Sequence, residues 1–457
     1  MANDNWTKTR LGDLVEIKHG WPFKSELFSE ELTGRPIVVN IGNFRYTGGF
    51  RFDSTTSKEY RGDYPAEYEL KPGEILLVMT CQTSGGEILG IPARVPDDGK
   101  TYLHNQRLGR VVIRDSAQLD DRYLYWLFLW PEFNRELFVT ATGTKILHTA
   151  PGRIESFQFQ RPPLPEQFRI GNILSALDDK IELNRRTNET LAAIARALFK
   201  SWFVDFDPVH AKAEVRQQHS SWSNAQISRA ALPKIAAEIA ELFPDRFEDS
   251  SLGPIPAGWK VQPFDEIAEF LNGLALQKYP ATKGDPFLPV IKIAQLRAGN
   301  SMSADKASTD VPTPYVIEDG DLLFSWSGSL LVSIWCGGKG ALNQHLFKVT
   351  SSQSPRWFLY EWLLEHLPAF QAIASAKATT MGHIQRHHLH AALVTVPDKP
   401  LLAAASGLFE GIFNRIVKNG VQSRTLTETL DFLLPNLLSG ELSVSGVSHS
   451  FEVKNGS

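Results

Sequence analysis

The chain has 457 residues, 42% of them apolar and 21% charged, enough for about three domain-sized units and unlike a disordered polymer. Forty-seven Lys and Arg against 51 Asp and Glu leave a net charge of −4, so no global basic field advertises a polyanion partner and any nucleic-acid surface has to be local. The start lacks a secretory pattern, no run approaches the ~20 apolar residues of a membrane span, and Cys81 and Cys336 are too few for a disulfide framework or a four-cysteine zinc site; a reduced, cytoplasmic setting is expected.

The first 160 residues read as one mixed α/β globule. β-rich runs at 36–41, 75–79 and 108–113 are separated by Gly, Pro and Asp turns. A helix is predicted over 121–138, and a glycine- and threonine-bearing loop over 140–152. After Pro165 the period becomes helical: Ile170, Leu174, Leu177, Ile181, Asn184, Asn188, Leu191, Ala195, Leu198 and Trp202 alternate spacings of four and three. That is a coiled-coil seam on a helix about 50 Å long. Residues 204–257 read as a Pro/Gly-rich linker with one short amphipathic segment over 232–243.

From Trp259 the pattern begins again, because the chain is an internal repeat. Residues 6–20 match 259–273, 38–45 match 290–297, 73–77 match 320–324, and Asn105-Gln106 match Asn343-Gln344. The offset shrinks from 253 through 252, 247 and 238, then settles at 235 from Arg122 onward, as expected when one copy has shorter loops around a shared framework. A second seam follows: Ala405, Phe409, Ile412, Ile416, Asn419, Ser423, Leu426, Leu430, Leu433 and Leu437. Pairing the seams antiparallel sets Asn184 beside Ser423, Asn188 beside Asn419, and the large Trp202 against the small Ala405, so buried polar groups meet partners. The expected division is 1–162, a first globule; 163–203, a long helix; 204–257, a linker or extension with a short helix; 258–397, a second globule; 398–440, a second long helix; and 441–457, a flexible tail.

Several of these segments resemble the specificity subunit of Type I restriction–modification systems. They are Pro162-Pro163-Leu164-Pro165-Glu166-Gln167 opening the first long helix and the run from Leu198 to Pro208 closing it, the run from Ser250 to Trp259 before the second globule, and the run from Leu433 to Leu442 at the end. The resemblance spans the chain. It implies an α+β (mixed α/β) fold in which two similar target recognition domains are separated by two long helices forming an antiparallel coiled coil with pseudo-twofold symmetry. It also implies a non-catalytic, sequence-specific DNA-binding subunit that reads a bipartite, asymmetric site on double-stranded DNA. Two methyltransferase subunits and restriction subunits would be its partners, holding S-adenosylmethionine, ATP and Mg between them, with no cofactor in this chain. One departure stands out: Leu401-Leu402 replace Glu166-Gln167 in the second copy. A ~50 Å spacer would bound the half-site separation to about 10–15 base pairs.

Local charge selects candidate DNA contacts. Residues 137–154 lack Asp and Glu and hold Thr142, Thr144, Lys145 and His148; the matching window 368–397 holds Lys377, Thr379, Thr380, His383, Arg386, His387, His388 and His390. Such loops can offer hydroxyl, amide and cationic donors to phosphates. Residues 99–114 carry Lys100, His104, Asn105, Gln106, Arg107 and Arg110, and residues 322–360 carry Lys339, Asn343, Gln344, His345, Lys348 and Arg356; both stretches are acid-free. Asn and Gln suit adenine and Arg suits guanine, although Asn105-Gln106 read equally well as a turn capping a strand. Arg45 and Arg297 occupy matched positions and complete the set.

Other chemistry leaves little trace. No S-adenosylmethionine fingerprint with an Asn/Asp-Pro-Pro-aromatic tetrapeptide occurs, and Gly337-Gly338-Lys339-Gly340 lacks phosphate-loop spacing. Glu69-Leu70-Lys71 reads as a turn rather than a nuclease site, and the histidines at 383–390 as a solvated basic face rather than a metal site. Two alternatives remain: a tandem-domain adaptor that binds protein, and a self-contained methyltransferase or nuclease.

Overall fold

The computed structural model describes residues 5–83, 85–376 and 382–444. These residues divide into two units, one within Met1–Asp179 and Thr427–Ser457, the other Lys180–Leu426.

In the first unit, four antiparallel strands form a sheet in the order Val15–His19, Leu108–Ile113, Ile75–Val78, Pro92–Arg94. A second sheet sets Tyr102–Leu103 parallel to Ile37–Val38 and antiparallel to Glu69–Leu70. Thr7–Arg10 pairs with Gln158–Arg161 and closes the globule. The helix predicted over 121–138 is two helices, Asp121–Phe128 and Pro131–Thr140. Pro131 explains the break: it has no N–H to continue a helix, yet fits the first position of a new one. Their buried faces (Tyr123, Leu127, Phe128, Phe133) share a core with Ile17, Leu77, Ile154 and Phe157.

The second unit repeats this wiring. Its four-stranded sheet runs Glu269–Asn272, Leu346–Thr350, Leu322–Ser325, Val332–Ile334, and its parallel pair is Phe287–Ile291 with Gly340–Leu342. Lys260–Pro263 pairs with Leu393–Val396 as its closing ribbon. Two glycines confirm the correspondence. A Cβ at Gly20 would lie 2.2 Å from the Asn105 carbonyl oxygen, and one at Gly273 would lie 2.3 Å from that of Asn343. Each copy lets two backbones cross where no side chain fits.

The long helices are Leu164–Phe199 and Lys399–Leu438. All the predicted seam positions are buried or half-buried, while off-seam Leu183 and Ile194 are exposed. Within the second unit their antiparallel register is that expected. Asn184 Nδ2 donates to Ser423 Oγ (3.2 Å) and Gln422 Oε1 (3.0 Å), and Asn419 Nδ2 donates to Asn188 Oδ1 (2.8 Å). Trp202 and Ala405 enter one core with Phe409, whose ring centroid lies 6.1 Å from that of Trp202. Within the first unit, Ile170 and Leu174 pack in the core that also takes Leu434, Leu437 and Leu438.

Three features depart from expectation. Residues 204–257 hold more than the one short helix expected of a linker or extension: Asp207–Gln218, Asn224–Ala231 and Ala237–Ala240 are helical, and Phe247–Ser250 pairs with Gly253–Pro256. Val209, Ile227 and Phe243 are buried there, and Lys212 Nζ is enclosed, donating to Asn224 Oδ1 (2.8 Å) and to the Ala240 carbonyl (3.0 Å). The first long helix ends in a wider π-helical turn, Lys200–Val204, after which Phe206 takes a left-handed conformation (φ 56°) and starts the inserted helices. The Trp126 indole donates to Ser175 Oγ and the Trp357 indole to Ser406 Oγ, both at 3.0 Å. That contact recurs 231 positions on rather than 235, a shift of one helical turn that keeps the same face inward.

The Glu166-Gln167 pair, present once, ties the first long helix to its globule. Gln167 is 1% exposed; it accepts from the Asp120 N–H (3.0 Å) and donates to the carbonyls of Pro162 (2.8 Å) and Gln118 (3.1 Å). Glu166 Oε2 accepts from the Trp6 indole at 3.0 Å. In the second copy Leu401 and Leu402 are buried in the core, so apolar packing replaces the polar clamp.

Candidate nucleic-acid interface

In the first unit the strand Ile75–Val78 runs on through Met79 into Thr80–Cys81. Two of the predicted loops flank that extension. On one side the Met79 N–H donates to the Arg107 carbonyl (3.0 Å); on the other, the Thr149 N–H donates to the Met79 carbonyl (2.9 Å) and Leu147–His148 pairs with Thr80–Cys81. Asn105 spends its side chain on the turn itself, Oδ1 accepting from the Arg107 N–H at 3.1 Å, which leaves Gln106 and Arg107 exposed at the tip. Asx turns of this kind are what an Asn in a tight loop does first.

The second loop is a hairpin tip. The Thr142 and His148 backbones exchange hydrogen bonds (2.9 and 2.8 Å), and Thr144 and Lys145 stand exposed between them. Gly143 has φ 109°, and a Cβ there would lie 2.0 Å from the Ile146 carbonyl oxygen, so the tip depends on glycine. His148 is exposed and its Nδ1 lies 3.1 Å from Thr80 Oγ1.

The second unit builds the same ladder. The Trp326 N–H donates to the His345 carbonyl (3.4 Å) and the Ile384 N–H to the Trp326 carbonyl (3.0 Å), so residues 343–345 and 382–386 flank Trp326-Ser327. Asn343, 4% exposed, again closes a turn, accepting from the His345 N–H at 3.3 Å. The side chains differ from the first copy. The half-exposed Trp326 takes the place of the buried Met79, with its ring centroid 5.9 Å from that of His345 and 6.3 Å from that of His383. Its indole N–H donates to Asn272 Oδ1 (2.8 Å) and to the Gln344 carbonyl (3.2 Å). Arg386 is exposed beside this group, its Nη2 3.4 Å from the Phe270 carbonyl oxygen.

Other candidates lie elsewhere. Arg45 is held in the 45–49 turn, whose Gly49 N–H donates to Pro92; Arg297 is exposed in the last turn of Ile293–Ala298; Thr379, Thr380 and Lys377 fall outside the described residues. Lys339 sits on a glycine turn 3.9 Å from Glu318. The acid-free stretches are acid-free in sequence but less so in space. Lys348 pairs with Asp321 (2.8 Å), Lys100 with Asp98 (2.8 Å), Arg110 with Glu74 (3.4 Å) and His390 with Asp265 (3.0 Å), each carboxylate coming from outside its window. His104 is interior, bonded to the Leu108 carbonyl at 2.9 Å, and burial lowers its pKa to about 4, so it is a neutral core group. Among the described residues, Arg107, Lys145 and Arg386 are exposed cations outside every ion pair, and no group of three or more His, Cys, Asp or Glu is placed to hold a metal ion.

Sequence reasoning missed Thr80, Asn272, Trp326 and Ser327. A signal for two of them was present, since the 247-residue offset aligns Thr80 with Ser327, a hydroxyl at the same strand end in both copies.

Residues 3–193 match the family model described as Type I restriction modification DNA specificity domain. The likeness is to Type I specificity subunits. The chain is 25% identical over 96% of its length to the whole of the Type I restriction enzyme HindI specificity subunit of Haemophilus influenzae. It is 24% identical to the MjaIX specificity subunit of Methanocaldococcus jannaschii, over 74% of this chain and 73% of that one. A crystal structure of the Type-I restriction-modification system S subunit from M. genitalium superposes with a TM-score of 0.55, covering 95% of this chain and 96% of that one at 16% identity, and so shares the fold. The mixed helix-and-sheet architecture, with its internal repeat and two long helices, is thus a fold shared with that S subunit. No helix among the described residues is long and apolar enough to cross a membrane.

Proposed function

We propose that this chain is the DNA-reading subunit of a Type I restriction–modification complex, each recognition domain binding one half of a bipartite, asymmetric site on double-stranded DNA. The observation that carries the reading is one strand-end ladder built twice with different side chains: exposed Gln106, Arg107, Lys145 and His148 in the first copy, half-exposed Trp326, Gln344, His345 and His383 with exposed Arg386 in the second. A shared frame with dissimilar donors suits two half-sites of different base sequence. The same loops offer phosphates few cations, which leaves base-edge contacts a large share of discrimination. The chemistry belongs to partners: two methyltransferase subunits that bind S-adenosylmethionine, and restriction subunits that use ATP and Mg. An assembly that acts on cellular DNA belongs, on this reading, in the cytoplasm.

The test is to map modified adenines across the host genome with and without this chain, alongside binding of the assembled complex to the resulting duplex over a salt series. A two-part motif that vanishes with the chain, and binding that weakens steeply with salt, are expected. Methyl transfer by the purified chain alone, or a motif unchanged by its loss, overturns the proposal.

A further inference from the structure

The hydroxyl at the strand end is the feature the proposed function does not yet use. Thr80 and Ser327 occupy equivalent positions, 6% and 3% exposed, and each hydroxyl lies within hydrogen-bond distance of a histidine Nδ1. The histidines are not equivalent. Thr80 Oγ1 meets His148 Nδ1 (3.1 Å) from the hairpin tip, whereas Ser327 Oγ meets His345 Nδ1 (2.9 Å) from the opposite flank. His383, the positional equivalent of His148, packs its ring against Trp326 instead.

A hydroxyl can donate to or accept from an imidazole nitrogen, so it fixes the ring plane in either tautomer. Anchoring through Nδ1 leaves Nε2 as the ring's remaining polar atom, at exposed His148 and at half-exposed His345. Beside His345, Gln344 Nε2 makes a long 3.4 Å contact with Nε2, which the ring gives up when Nε2 turns to a base. A ring free to turn about χ2 reads no particular base; one held from behind presents a single donor or acceptor in a fixed direction.

We propose that Thr80 and Ser327 are positioning residues for base recognition: one anchored hydroxyl per domain aims an imidazole, His148 in the first and His345 in the second, at a base edge of that domain's half-site. The inference rests on the DNA-reading proposal above and extends it to named reading edges. Choosing opposite flanks for the anchored ring makes the two half-sites differ at the position each ring contacts.

The test uses the full chain in its host complex and maps modified adenines for wild type, Thr80→Val, Thr80→Ser, Ser327→Ala, Ser327→Thr, His148→Ala and His345→Ala. Wild type must first yield a bipartite motif that depends on the chain; failure there refutes the DNA-reading proposal itself. Given that motif, Thr80→Val is expected to relax discrimination about fivefold at one base position of one half-site, the factor from losing one modest hydrogen bond. His148→Ala relaxes the same position, and Thr80→Ser restores it. Ser327→Ala and His345→Ala relax one shared position in the other half-site, which Ser327→Thr restores. An unchanged motif in the Val and Ala variants, different positions for hydroxyl and imidazole variants, or equal loss in both half-sites overturns the inference. The histidine variants remove only exposed or half-exposed rings, so they keep the test decisive where a buried-hydroxyl variant loses fold.

Discussion

Replacing Asn188 by leucine should destabilise the protein, and replacing Asn419 as well should restore most of the loss. Asn419 is 2% exposed, and its side-chain amide donates to Asn188 Oδ1 at 2.8 Å. Asn188→Leu therefore leaves a buried N–H donor without its acceptor, a cost of about 2 kcal/mol. Asn419→Leu orphans an oxygen on the half-exposed Asn188, which water can reach, while burying a leucine; its cost should be nearer ~0.5 kcal/mol. With both replaced, two leucines face each other across an antiparallel seam and stability should return to within about 0.5 kcal/mol of wild type, since replacing both partners of a buried bond by apolar groups is close to neutral. The coupling from a double-mutant cycle is then about 2 kcal/mol. Urea denaturation of the four proteins, followed through the transition assigned to the Lys180–Leu426 unit, measures it. Additive single effects, or a larger loss for Asn419→Leu than for Asn188→Leu, would refute the reasoning.

Three further predictions come from other contacts. Gln167→Ala should cost about 1–3 kcal/mol, because it removes a buried side chain that serves Asp120, Gln118 and Pro162; a thermal midpoint unchanged within a degree contradicts this. Lys212 is buried in the inserted helices and desolvation lowers its pKa to about 8. The unfolded lysine keeps its ordinary value near 10.5, so between those values the unfolded state binds more protons and stability should rise with pH. Lys212→Met should flatten that rise in denaturation profiles, and an identical pH slope in the variant counts against the assignment. Arg424 grips Asp319 through two nitrogens (2.7 and 2.8 Å) and also donates to the Cys336 carbonyl, so Arg424→Lys, lacking the planar fork, should lose roughly 1 kcal/mol in the same urea assay rather than conserve stability.

Much of the architecture was legible because duplication and seam periodicity are patterns of spacing. The polar layers of Asn184, Asn188, Asn419 and Ser423 fix the axial register but align in either direction; the antiparallel choice rests on setting the large Trp202 against the small Ala405 rather than against Leu437. Pairings that arise between segments were less visible. Lys348 and Lys100 sit in acid-free windows, but Asp321 and Asp98 just outside them fold back, and a charge count along the chain cannot see that. The Trp130-Pro131 break is masked in the sequence because apolar periodicity continues across it. The prolines of residues 204–257 read as a linker or extension, yet Val209 and Phe243 join the core of the second unit, and the enclosed Lys212 beside them has no sequence signature. The paired hydroxyls at 80 and 327 stand out only once the strand end, and the ring each faces, are in view.

The first unit takes Leu434, Leu437 and Leu438 into the same core as Leu11, Phe157 and Ile170. Its N-terminal portion leaves the ribosome some 250 residues before those leucines are made, an interval on the order of tens of seconds at ordinary elongation rates. The core laid down early is thus completed only when those leucines emerge, and until then the apolar surface they cover stays unfilled. A premature stop anywhere upstream of residue 434 should cost the leading half its solubility along with the missing tail.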